Sequence, residues 1–147
     1  MMDEQLAALL LGSMAIIMVV VLIWAVLMIV ANWRIFTKAG EAGWKTLIPI
    51  YNLYIMYKIS WKPIMFVVVM LLAIASGFFS NSTDSTYVII NTVISLASFV
   101  INGVLLNVKL AKSFGRGVGF MLGLIFLNPI FMLILAFGDS YYQGPDL

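Results

Sequence analysis

Four apolar stretches without a single Lys, Arg, Asp or Glu, at residues 6–31, 63–80, 87–108 and 118–138, divide this chain. Each approaches or exceeds the roughly 20 residues a helix needs to traverse the hydrocarbon core of a bilayer, where backbone amides must be satisfied within the segment. With 64% hydrophobic and 10% charged residues, a soluble monomer of 147 residues could not cover this much apolar surface. The sequence predicts an all-α membrane protein, a single integral domain with four transmembrane helices.

Charge placement orients those helices. All eight basic residues lie in two segments, from Arg34 to Lys62 and from Lys109 to Arg116, whereas the acids Asp3, Glu4, Asp84, Asp139 and Asp146 lie elsewhere. Lys and Arg collect in short cytoplasmic loops, so residues 32–62 and 109–117 are expected inside, and both termini and the Asp84 loop outside. The first stretch opens on Asp3 and Glu4 instead of a basic n-region and exceeds the length of a signal-peptide h-region, so it is expected to remain as an anchor.

Between the first two stretches runs KAGEAGWKTLIPIYNLYIMYKISWK, too charged at its ends and too short in its centre to cross. Pro49 suits a first helical turn, and Tyr51, Tyr54, Tyr57 and Trp61 follow at helical spacing. Rings with a polar edge collect at headgroup depth, which predicts an interfacial cytoplasmic helix between spans one and two. Arg34, Lys38, Trp44, Lys45, Tyr51, Tyr54, Lys58, Lys62, Lys109, Lys112 and Arg116 together form the expected face for anionic lipid headgroups or a partner.

Span three carries Asn91, Ser95, Ser98 and Asn102 at helical steps, a polar stripe that suits either a packing seam or the wall of a path across the membrane. Asn128 and Pro129 sit near the middle of span four, where a proline tends to kink a helix, and Asn128 is expected to join the stripe near Ser98 or Asn102. Gly119 and Gly123 have GxxxG spacing and read as a packing face with Pro129, while Gly115 and Gly117 read as a turn. The triplet beginning at Asn81 matches a glycosylation acceptor, close to the membrane. Cysteine and histidine are absent, which excludes disulfides and thiolate metal sites. Ser60 and Ser113 lie near lysines, but solvated interfacial lysines are not depressed enough to act as bases. The expectation is therefore a non-enzymatic protein without a cofactor.

The segments AGEAGWKTLIPIYNLYIMYKI and LAKSFGRGVGFMLGLIFLNPIFMLILAFGDSYYQGP resemble those of an uncharacterised family of small bacterial integral membrane proteins. The matching positions are Ala42, Gly43, Trp44, residues 47–52 and Tyr54, then residues 110–112, Phe114, Gly115, Gly119, Phe120, Pro129, Phe137, Gly138, Tyr142 and Gly144. Some relatives bear a signal-peptidase label, for which this chain has no serine and lysine motif. The resemblance implies a bacterial inner (plasma) membrane and marks the segment from Trp44 to Tyr54 as a defining element; it implies no activity. Three functions follow as expectations: a scaffold or accessory subunit that packs with itself or a larger membrane protein; a small transporter or channel-like oligomer; and, more remotely, a bacteriocin receptor or immunity factor. Nothing points to nucleic acid.

Overall fold

The computed structural model describes residues 3–147, and the described residues form helices and turns with no strand. In order they are α1 (Glu4–Lys38), a 3₁₀ turn (Gly43–Leu47), α2 (Pro49–Ser60), α3 (Pro63–Phe79), α4 (Ser85–Phe99), a π turn (Val100–Leu105), α5 (Leu106–Ser113), α6 (Val118–Phe126) and α7 (Asn128–Phe137). Two helices are long and apolar enough to cross a membrane: α1, and the rod Ser85–Ser113 made by α4, the π turn and α5.

Local sequence explains most boundaries. Pro49 and Pro63 open α2 and α3, where a missing amide costs nothing, and Asp84 caps α4 by accepting from the Thr86 amide at 2.8 Å. The helices α1 and α5 both end in a left-handed glycine, Gly40 at φ 79° and Gly115 at φ 65°. Each is followed by a residue whose amide reaches back five positions, Glu41 to the Phe36 carbonyl and Arg116 to that of Ala111. These are Schellman turns, and they stop both helices at one end of the molecule.

That end holds the core. Ala31, Ile35 and Phe36 of α1, Ile55, Tyr57 and Ile59 of α2, Leu110 and Ala111 of α5, Leu124 of α6, and Leu135 and Ala136 of α7 are all at most 2% exposed. By contrast α4 buries nothing fully, and the first two thirds of α1 stand without neighbours, Leu9 being 71% exposed. The expected antiparallel pairing of α3 with α4 is present: Phe79 stacks on Tyr87 at 5.6 Å, and Ser76 donates to Asn91 at 2.7 Å.

Two expectations need correction. The stretch 118–138 does not form one kinked span. At Leu127 (φ −124°, ψ 43°) the chain leaves helical geometry and turns back, so α6 and α7 make a hairpin in which Phe120 meets Phe131 edge to face at 5.0 Å. Its closing end reaches the end of α1, where Lys38 donates to the carbonyls of Leu135 and Gly138, both at 2.7 Å. The C-terminal tail therefore lies at the basic end of the molecule. At 1.5 Å per residue, the N-terminus of α1 is about 50 Å away, so the start of α1 and the C-terminal tail lie at opposite ends of the molecule. Asp139 and Asp146, expected opposite the basic segments, lie among them.

The second correction concerns α2. Its latter half is largely buried, because Ile55, Tyr57, Ile59 and Ser60 are covered by α5 and the tail while Lys58 stays exposed. Tyr57 is thus withdrawn from the headgroup belt its spacing suggested.

Candidate functional site

The polar stripe of the third apolar segment survives as a row but not as one cluster. Asn91 accepts from Ser76, and Asn102 accepts from the Tyr57 hydroxyl at 2.6 Å while its own amide donates to the Ser98 carbonyl. Burial pushes the Tyr57 hydroxyl up to about 12, which keeps it a donor. What remains open is a groove between α3 and the rod, with a cavity volume of about 530 Å³. It is lined by Val69, Ala73, Ser76, Ser95, Ser98, Phe99 and Asn102. The π turn at 100–105 contributes Asn102 to its wall, a feature absent from the sequence reading and frequent at functional positions.

Asn128 occupies the tip of the α6–α7 hairpin. Its amide donates to Asn107 at 2.9 Å and to the Leu124 carbonyl at 3.1 Å. The partner is therefore Asn107, and not Ser98 or Asn102 as expected. Asn107 escaped notice because it follows Asn102 by five residues, off the three-and-four spacing of an unbroken α-helix; the π turn absorbs the difference. Pro129 sits in the first turn of α7, so it breaks no internal bond and marks a start where a mid-helix kink was expected.

Gly119 and Gly123 do not share a packing face within the protomer. A methyl on Gly123 would overlap the Phe131 ring, so this glycine closes the hairpin, whereas Gly119 has open space around it.

At the basic end, four of the eight cations expected to face lipid are already held in ion pairs. Glu41 binds both Lys45 and Lys58, the latter at 2.6 Å, and these two ammonium groups hold its carboxyl below the usual range. Asp146 binds Lys109 at 3.0 Å and Lys112 at 3.5 Å, with the same effect on its own carboxyl. The tail is laid across the ends of α2 and α5: the Gln143 amide donates to the Ser113 carbonyl, the Asp146 amide to that of Ser60, and the Tyr142 hydroxyl to that of Ile59. Ser60 and Ser113, weighed in the sequence as nucleophiles, are buried beneath it, the Ser113 hydroxyl donating to the Ser60 carbonyl. Lys62 has no carboxylate within 4.0 Å among the described residues, and neither have Arg34, Lys38 and Arg116. The rings of Trp44, Tyr51, Tyr54 and Phe66 form a continuous row, with centroids 6.3, 5.9 and 5.6 Å apart, and Trp44 is half exposed at its end.

No curated protein and no solved structure matches the chain. A family of unknown function, DUF5684, matches residues 44–145, from the ring row through the hairpin to the tail. The chain belongs to that family, and the matched region contains every element of the site except α1.

Proposed function

We propose that the protein is a non-enzymatic subunit of an assembly in the bacterial inner membrane, a scaffold or accessory protein. In this reading α1, α3 and the rod cross the bilayer, and the α6–α7 hairpin enters it from the inner side and returns. The N-terminus then lies outside and the tail inside, with all eight basic residues on the inner side, in keeping with the charge rule.

The observation that carries the reading is the groove between α3 and the rod. Hydroxyl groups at bilayer depth face lipid at a cost, and small polar residues let another helix approach closely and share hydrogen bonds. Asn102, Asn107 and Asn128 are committed within the protomer, which leaves Ser95 and Ser98 as the groups available to a neighbour. The test is energy transfer between labelled copies in liposomes, and co-purification from native membranes. A Ser95→Leu/Ser98→Leu variant should lose its neighbours while keeping its helical spectrum; unchanged association would overturn the proposal.

A second reading, a small transporter, is favoured by the π turn that lends Asn102 to the same groove. It expects the same variant to keep its oligomeric mass and alter solute flux.

A further inference from the structure

We propose that Arg34, Lys38 and Arg116 form a binding site for the phosphate of an anionic phospholipid at the inner end of the α6–α7 hairpin. This rests on the reading that the basic end faces the inner leaflet.

The three cations come from sequence positions far apart and converge on one point, the junction of Phe137 and Gly138. The Arg34 guanidinium lies 4.6 Å from the centre of the Phe137 ring. The Lys38 ammonium bonds the Gly138 carbonyl at 2.7 Å, and an Arg116 guanidinium nitrogen lies 3.6 Å from where a Cβ on Gly138 would sit. Two clefts open there, on either side of residues 139–141, with volumes of about 300 and 220 Å³. Lys38 lines one and Arg116 the other.

The contrast with the rest of the basic end is what singles out this place. Lys45 and Lys58 share Glu41, and Lys109 and Lys112 share Asp146, so four cations are met by two carboxylates at ion-pair distance. Around Gly138 three cations face a single carboxylate, Asp139, which makes no ion pair with any of them. The buried Arg116 Nε also has no hydrogen-bond acceptor among the described residues. Positive charge concentrated at a helix–hairpin junction suits a phosphodiester, and guanidinium groups match its oxygens in pairs. Phe137, half exposed beside Arg34, offers apolar surface to the acyl chains below.

The test uses the purified full chain in neutral detergent, titrated with phosphatidylglycerol, phosphatidylcholine or inorganic phosphate, with bound lipid counted by native mass spectrometry. Phosphatidylglycerol should bind preferentially. An Arg34→Gln/Arg116→Gln variant should bind it about tenfold more weakly or worse, from the loss of two interfacial charges. Arg34→Lys/Arg116→Lys should recover most of the affinity, Asp139→Asn should increase it, and Lys62→Gln/Lys112→Gln should leave it unchanged.

Equal losses in the Arg34/Arg116 and Lys62/Lys112 variants would overturn the site, as would no preference over phosphatidylcholine. Competition by inorganic phosphate at millimolar concentration would assign the cluster to a soluble anion instead. Alkaline extraction of the protein from liposomes separates the premises. A chain that stays in the bilayer yet shows no lipid preference refutes the site alone, and a chain that washes off refutes the membrane reading with it.

Discussion

Replacing Asn128 with leucine tests the hairpin at its tip. In the native fold the Asn128 amide holds the Asn107 side-chain oxygen at 2.9 Å and the Leu124 carbonyl at 3.1 Å. Leucine fills a similar volume and supplies neither donor. On the scale of such bonds measured within membranes, the interhelical bond is worth about 0.6–1.7 kcal/mol. The Leu124 carbonyl, freed at the end of α6 away from water, adds about 1–3 kcal/mol for an unsatisfied buried acceptor. The expected loss is about 2–4 kcal/mol, a shift of roughly thirtyfold to several hundredfold in the unfolding equilibrium. Reversible denaturation in bicelles, followed by Trp fluorescence and circular dichroism, would measure it. A cycle with Asn107→Ala isolates the pair, and a coupling energy of at least about 0.5 kcal/mol is expected. A variant as stable as the parent, or a cycle without coupling, would refute the account of Asn128 as the group that permits the reversal. A straight helix through 118–138 would instead gain from the leucine.

Gly123→Ala should destabilise the protein by about 1–3 kcal/mol in the same assay, because its methyl meets the Phe131 ring, whereas Gly119→Ala should be neutral or slightly stabilising. Equal effects at the two glycines would contradict the hairpin. Lowering the pH should loosen the tail. Glu41 and Asp146 have carboxyls held below their ordinary values of 4.5 and 3.8, so their contribution is complete above those values and fades as pH falls through the lower folded-state ones. Hydrogen-exchange protection at residues 143–146, corrected for the intrinsic rate at each pH, should therefore fall in acid, and Asp146→Asn should show that lower protection already at pH 7. Because the chain has no cysteine, Ser82→Cys and Gln143→Cys can each be labelled alone in intact cells. Only the first should react with a membrane-impermeant maleimide, and labelling of both would restore the topology with both termini outside.

Much of the architecture can be read from local pattern. The apolar runs, the prolines opening α2 and α3, the Asp84 cap and the glycines ending α1 and α5 all act through near neighbours, so their positions were accessible from the sequence. The reversal at Leu127 was not. An Asn-Pro pair within an apolar run has the same local chemistry whether the helix bends or turns back. The choice depends on distant partners: Asn107, the space at Gly123, and Lys38 waiting at the far end. The basic face failed for a related reason. Lys109 and Lys112 read as solvated because Asp146 comes to them from the tail, and no spacing rule predicts that pairing. The stripe has a helical period legible in the sequence, but its partners Ser76 and Tyr57 belong to other helices.

The tail also fixes an order of events during synthesis. Gln143, Tyr142 and Asp146 satisfy the carbonyls of Ser113, Ile59 and Ser60, groups translated well before them. Until those residues have been made, the carbonyls of Ile59 and Ser113 and the cations of Lys109 and Lys112 lack these partners. A chain stalled after α5 would leave an open, positively charged seam between the ends of α2 and α5. That seam can close only once residues 142–146 have been made, and its protection from protease would mark a completed fold.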